Sequence, residues 1–316
     1  MEGADIVITI LMATYNGESY LAEQIESILR QTETRWKLII QDDCSTDRTA
    51  AVAQEFAGQY PEKIRLIRRD SPSGSAKNNF FSMLSLADTP YCMTCDQDDV
   101  WLPEKIALTL EKMRELESAC GADTPLLVHT DLKVVDSRLN ELSGSLLYIQ
   151  DLSAKRDALH QLIVQNIVTG CTMMVNQALL ARFVPIPEAQ NCIMHDWWLA
   201  ILAAAFGKIG FVETPTILYR QHGSNQVGAK NAHSLSYNWA RFRDRAGART
   251  VLRDTYRQAG EFLKVYRAKL DTQQVRLLDA YSGVPLYPKW KRVWVLLRYR
   301  LFKKGFKRKL AQILFV

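Results

Sequence analysis

Residues 91–101 read Tyr91-Cys92-Met93-Thr94-Cys95-Asp96-Gln97-Asp98-Asp99-Val100-Trp101. Five apolar or β-prone residues make a short strand, and four polar residues, three of them carboxylates, follow at once. In an open α/β sheet, ligands bind beyond the carboxyl ends of the strands, where loops converge. Three carboxylates within four residues repel one another unless a cation or hydroxyl donors sit among them. Mg²⁺ or Mn²⁺ suits an Asp-x-Asp element, because such an ion takes one or two carboxylates and completes its shell with water and substrate phosphates. An isolated Asp-x-Asp is more often a solvated turn capping the next helix. Its place at the end of the fourth strand of a βαβ series reverses that preference.

That series is legible from the alternation of short β-rich runs with amphipathic patterns. Strands are expected at Ile6–Met12, Trp36–Gln41, Ile64–Ile67 and Tyr91–Cys95. Helices are expected at Glu18–Gln31, from an Asp47 cap to Tyr60, at Ser75–Ala87 and at Glu104–Leu116. The pattern then loosens into strand-like Leu126–Val135, helical Ser153–Val164, strand-like Ile167–Val175 and a buried helix at His195–Phe206. Strands near Ile209–Val212 and Thr216–Gln221 close the domain. Beyond Ala229 the composition turns to helices rich in Arg and aromatic residues, so a catalytic domain is placed at 1–228 and a helical extension at 229–316.

The other strand ends are also polar. The first runs into Ala13-Thr14-Tyr15-Asn16-Gly17, a bend whose tyrosine suits contact with a base, and the second into Asp42-Asp43-Cys44-Ser45-Thr46-Asp47. Helix capping alone would account for Ser45, Thr46 or Asp47. Three successive strand ends with polar loops describe one composite site. Cys92 and Cys95 spell Cys-x-x-Cys, but residues three apart on a strand face opposite ways, so zinc or redox use is not expected. His129 and Asp131 share a strand face and are expected only weakly at the cleft.

The chain has 316 residues, 47% of them hydrophobic, enough for a large core, and a formal charge of +6. That charge is lopsided: between Tyr281 and Val316 stand ten Lys/Arg and no Asp or Glu, which leaves 30 basic against 34 acidic residues elsewhere. A nucleic-acid-binding body is therefore disfavoured. Six cysteines and no leader-like start suggest free thiols in the cytoplasm, and the longest apolar stretch, Trp197–Phe206, is about half of a membrane span.

These motifs together resemble family-2 glycosyltransferases of the GT-A fold over residues 5 to 225. Thr14-Tyr15-Asn16-Gly17, the Asp42–Asp47 loop, Asp96-Gln97-Asp98-Asp99 with Trp101, His195-Asp196-Trp197-Trp198 and Tyr219-Arg220-Gln221-His222 carry the likeness. The last three look like those of bacterial rhamnosyltransferases of polysaccharide assembly, O-antigen included. The resemblance implies a Rossmann-like mixed sheet flanked by helices. It implies that Ala13, Thr14, Tyr15, Asn16, Asp42, Asp43, Asp96 and Gln97 bind the nucleotide, and that Lys77 and Asn78 sit beside it. Lys77 stands where the family often has arginine, and Cys44 where it often has glycine. Asp98 is implied as a metal ligand with His222, Arg220 as a diphosphate clamp, and Gly170, Cys171 and Trp197 as neighbours of the diphosphate or acceptor. Asp196 is implied as the base of an inverting transfer.

The implied reaction moves a sugar, L-rhamnose from dTDP-L-rhamnose, to a glycan or polyprenyl-linked acceptor. UDP-glucose or UDP-galactose as donor, or a catalytically silent glycan-binding scaffold, are the alternatives. In 289–316, Trp290, Val293, Trp294, Leu297, Leu301, Leu310, Ile313 and Leu314 alternate with the cations at helical spacing. Such a segment either docks on the body or lies at an anionic bilayer, where each cation contributes about 1 kcal/mol. The second is expected, with the protein peripheral at the cytoplasmic face of the inner membrane.

Overall fold

The computed structural model describes residues 7–222 and 245–316. The boundary expected at 228/229 lies outside the described residues. Two compact units are present, one from residues 7–146, 168–182 and 207–222, the other from 147–167, 183–206 and 245–316. Two stretches from within the expected catalytic span thus pack with the C-terminal helices, so a cut by sequence and a grouping by packing differ.

The first unit is built on one mixed sheet. Its strands are β1 (Ile8–Thr14), β2 (Trp36–Asp42), β3 (Ile64–Arg68), β4 (Tyr91–Cys95), β5 (Val100–Trp101), β6 (Leu126–Val135), β7 (Glu141–Ser143), β8 (Met174–Asn176) and β9 (Lys208–Arg220). They are ordered β3-β2-β1-β4-β8-β6-β9-β5, with β7 added to β6. β1 to β4 run parallel, β8 enters antiparallel between β4 and β6, and β9 lies parallel to β6. Ile8, Ile10, Leu11 and Met12 are fully buried, which requires cover on both faces of β1 and explains its unbroken apolar run.

That cover comes from the helices between the strands: α1 (Leu21–Leu29), α2 (Thr49–Gln59), α3 (Ala76–Met83) and α4 (Lys105–Cys120). Leu21, Ile25 and Ile28 form the buried stripe of α1 at the spacing that marks an amphipathic helix. Parallel register then levels the ends of the central strands. Thr14 sits opposite Asp42, and Met12 opposite Cys95, so all three following loops emerge on one edge.

Several boundaries differ from expectation. The helix expected over Ser153–Val164 is one turn at Leu159–Leu162, and strand-like Ile167–Val175 shortens to β8, preceded by a 3₁₀ turn at Gly170–Thr172. The two closing strands are one, β9, because the chain bulges between Val212 and Pro215 opposite Thr130 and Asp131 and resumes pairing.

In the second unit, α5 (His195–Phe206) is apolar on nearly every side, with Trp198 through Ala203 buried. It packs through Trp198 on Phe262 and Tyr266 of α6 (Arg245–Tyr266), with ring centroids 5.3 and 6.3 Å away. Asp271 caps α7 (Thr272–Ser282) by a reciprocal box with Gln274, whose amide also donates to the Ala205 carbonyl at 2.7 Å. Then come α8 (Lys289–Arg298) and α9 (Phe306–Phe315). Lys304 and Arg308 tie this end to the 147–167 stretch through Asp151, Leu152 and Gln150.

Gly207 tests the entry into β9. A methyl group there would lie 1.7 Å from the Pro125 carbonyl oxygen, a backbone atom that cannot rotate away. Gly207→Ala is expected to destabilise the chain by roughly 2 kcal/mol, read as a lowered urea midpoint.

Candidate active site

The loops at the common edge are stapled to one another by their own polar groups. Asn16, in left-handed backbone at φ 47°, accepts the Thr46 N–H at 2.8 Å through Oδ1, and its own N–H donates to Ser45 Oγ at 3.0 Å. Gly17 N–H donates to Thr49 Oγ1 at 2.7 Å and Glu18 N–H to Asp47 Oδ2 at 3.1 Å. Asp47 also accepts the Thr49 N–H at 2.9 Å. Burial pushes the Asp47 carboxyl up, but these donors outweigh it and hold the group below the usual range. Cys44 adopts φ 62°, the backbone for which glycine is favoured.

The two carboxylates that close β2 face inward. Asp42 is 2% exposed and accepts from Ser45 Oγ at 2.5 Å, Ser45 N–H at 3.1 Å and Thr14 Oγ1 at 3.3 Å. A carboxylate has about four acceptor positions, so one remains beyond these three donors. Asp43 accepts from the N–H and Oγ of Ser73 and pairs with Arg69, tying the β2 end to the loop after β3. In that loop Ser75 caps α3 by accepting the Asn78 N–H, and the Asn78 amide donates to the Ser73 carbonyl at 2.9 Å. Lys77 stands half-buried in the first turn of the same helix.

Gln97 bridges the first and fourth strand ends. Its Oε1 accepts the Tyr15 N–H and its Nε2 donates to the Tyr15 carbonyl, both at 2.9 Å, so one side chain mimics a strand neighbour. Tyr15 itself stays exposed beside half-buried Ala13.

Asp98 and His222 come together. His222 Nε2 lies 2.8 Å from Asp98 Oδ2, and the imidazole packs on the Tyr20 ring at 4.7 Å. Asp99 is fully buried; Oδ1 accepts the Arg220 N–H at 3.2 Å, and the carboxyl has the Cys171 thiol for a neighbour. Burial, then the Asp98 and Asp96 charges, push the Asp99 carboxyl well above the carboxylate range. Burial and Asp99 drive the Cys171 thiol upward as well, so it stays protonated. One ligand atom each from Asp96, Asp99 and Cys171 lie within 4.8 Å of one another. Gly170 forms the wall, its carbonyl accepting from Thr94 Oγ1 at 2.6 Å.

This donor set fits a hard divalent cation. Carboxylates crowd so closely that one is pushed well above the carboxylate range, an imidazole stands beside them, and an added positive charge would relieve the repulsion. The neutral, soft Cys171 thiol is a poor ligand for such an ion.

Arg220 does something else than expected. Its guanidinium is 3% exposed and donates to the Asp98 carbonyl at 2.9 Å, to the Ser137 carbonyl at 2.8 Å and to Glu23, while stacking on Tyr20 at 4.8 Å. Arg220, expected at the diphosphate, thus holds the 96–99 loop from within the fold. His129 and Asp131 are also structural. His129 is buried against Phe211, and Asp131 accepts the Leu132 and Leu146 N–H groups.

Tyr20, Glu23 and Lys105 escaped the sequence reading. Lys105 opens α4 fully buried, its ammonium 4.6 Å over the Trp101 ring, and burial pushes it down to about 8. Helical periodicity treats a lysine as solvent-facing, so no sequence signal marks it.

In the second unit Asp196 occupies the first turn of α5 and accepts the Trp197 N–H at 2.5 Å through Oδ1. The Trp197 indole donates to the Leu162 carbonyl at 2.5 Å. His195 is buried and pushed down to about 3, so its imidazole is neutral.

A mixed α/β sheet whose strand-end loops gather an Asp-x-Asp element, a histidine and an exposed tyrosine has the arrangement of a GT-A glycosyltransferase. Residues 9–180 match the model of glycosyl transferase family 2, and the chain belongs to that family. It is 28% identical over 235 residues to the dTDP-rhamnosyl transferase RfbG of Shigella flexneri, covering 72% of this chain and 76% of that one. Among solved structures it resembles S. aureus TarS 1-349 in complex with UDP-GlcNAc, with a TM-score of 0.57 at 14% identity over 98% of this chain and 90% of that one. It also resembles the mannosyltransferase PcManGT from Pyrobaculum calidifontis in complex with GDP-Man and Mn²⁺, with a TM-score of 0.58 at 13% identity over 98% and 79%. At these identities the structural likenesses establish the fold.

Gly17 packs closely on Gln97, since a methyl group there would lie 2.3 Å from Gln97 Oε1. Gly17→Ala is expected to cost about 1–2 kcal/mol, and Gln97→Ala to relieve part of it. A double-mutant cycle in urea should therefore show a coupling of roughly 1 kcal/mol, whereas simple additivity would contradict the contact.

Proposed function

We propose that this glycosyltransferase moves L-rhamnose from dTDP-L-rhamnose to a glycan or lipid-linked acceptor in cell-surface polysaccharide assembly, with inversion at the anomeric carbon. The observation that carries the reading is the meeting of Asp98 and His222 at the sheet edge where the Tyr15 and Asp42 loops also end. The likeness to RfbG supports the rhamnosyl donor.

In this reading the base stacks at Ala13 and Tyr15, with its N–H directed to the remaining acceptor position of Asp42. Thr14, Asn16, Asp43 and Gln97 shape that pocket, Lys77 and Asn78 flank it, and Asp96 accepts from the ribose. Asp98 and His222 would hold Mg²⁺ or Mn²⁺, which would supply positive charge against the negative charge of the departing diphosphate. Asp196 takes the proton of the acceptor hydroxyl as its oxygen bonds to the anomeric carbon and the bond to the diphosphate breaks, the electron pair leaving with the nucleotide. Gly170, Cys171 and Trp197 border the diphosphate or acceptor. The basic C-terminal region keeps the enzyme at the cytoplasmic membrane face, within reach of a lipid-linked substrate.

A thermal-shift panel of dTDP, UDP and GDP sugars with and without Mn²⁺ tests the donor and the metal together. Stabilisation should require a pyrimidine diphosphate and the ion, reach roughly 2.7 kcal/mol at about 100 times Kd, and disappear in Asp98→Asn. Indifference to every nucleotide would overturn the site. Asp196→Asn should lower kcat by about 10²–10⁴-fold while donor stabilisation persists; unchanged turnover would remove Asp196 as base.

A further inference from the structure

Twelve large apolar side chains stand exposed among the described residues, and seven of them lie between Leu286 and Leu314. A soluble surface rarely concentrates apolar groups in this way without a partner. On α8, Trp290, Trp294 and Leu297 fall at i, i+4 and i+7, a single stripe, while Val295 and Leu296 on the other side are buried. On α9, Phe306, Leu310 and Leu314 repeat the pattern at four-residue intervals. Leu286, in the turn before α8, is 87% exposed, and Trp290 73%.

The charge carried by the segment itself has one sign. Lys289, Arg298, Arg300, Lys307 and Lys309 are exposed, and from Tyr281 to Val316 there is no Asp or Glu. Lys304 and Arg308 are engaged in holding α9 to the 147–167 stretch. The segment thus docks through a few residues and leaves the rest exposed. Both helices border one groove of about 480 Å³, floored by Leu252 and Val284 and rimmed by Arg249, Arg253 and Arg292. Arg292 donates to the Tyr287 and Pro285 carbonyls through Nε and Nη2.

We propose that the exposed stripes of α8 and α9, with Leu286, are a docking surface for an anionic lipid bilayer, the apolar side chains entering the headgroup layer and the surrounding cations neutralising lipid phosphates. Tryptophan on the apolar side and Lys/Arg beside it are the composition an interfacial helix requires. A second protein with an acidic surface would meet the cations but would not need two tryptophans and five further large apolar groups standing in water.

The surface deepens the membrane partner named under the proposed function and rests on that reading. Its test uses neither donor nor acceptor, so failure here and failure of sugar transfer are separate results. The full chain is floated with vesicles of equimolar phosphatidylcholine and phosphatidylglycerol, and with phosphatidylcholine alone. Recovery should be at least about tenfold greater on the anionic vesicles and fall in high salt. Trp290→Ser/Trp294→Ser/Leu297→Ser, all exposed and outside the catalytic machinery, should cut anionic recovery by about tenfold at an unchanged melting temperature. Equal recovery on both vesicles, or a triple variant that binds like the parent, would overturn the proposal. So would a lipid-free dimer that the triple variant converts to monomer, which would assign the face to a second copy.

Discussion

Everything at the candidate site depends on keeping three carboxylates together against their own repulsion. Asp96, Asp98 and Asp99 follow β4 without a spacer longer than one residue. The fold answers with position. Arg220 reaches from the end of β9 to the Asp98 carbonyl and the Asp99 carboxyl, His222 faces Asp98, and Gln97 locks the loop to Tyr15. Asp99 is taken out of water, and burial pushes its carboxyl well above the carboxylate range. A divalent cation placed among them would relieve the rest of the repulsion.

The loops around this centre show the same economy of means. Asn16, Ser45, Thr46 and Asp47 bond to each other's backbones, and Asp43 extends the ties to Ser73 beyond β3. Side chains that could face a ligand are thereby used to fix the loop backbone. Preorganisation of this kind matters for a transferase, because geometry set before the nucleotide arrives need not be ordered when it binds. The second unit is organised differently, around an almost wholly apolar α5 and the aromatic face of α6. Its last helices leave tryptophans and leucines in water.

Much of this was legible in the residues alone. The βαβ order, the β4 strand with its acidic end, α5 and the polar strand ends follow from hydrophobic periods of two and 3.6 and from the chemistry of carboxylates. The long continuous β9 was not, because the bulge at Glu213 and Thr214 reads locally as two strands. Nor were β5 and β7, whose two and three residues are too short for a period to register.

The sequence by itself determined which residues could bear charge at a strand end and that these ends recur at the spacing of one sheet. Only the tertiary structure decided their partners. Arg220 reads as a cation at a strand end until Glu23, Ser137 and Tyr20, far away in the chain, surround it. Lys105 looks like a solvated first-turn lysine until Trp101 and the packed base of the acidic loop enclose it. The reason is physical: periodicity reports how residues face within one element. Desolvation and pairing depend on which other elements close over them, and those contacts span up to 197 positions of sequence.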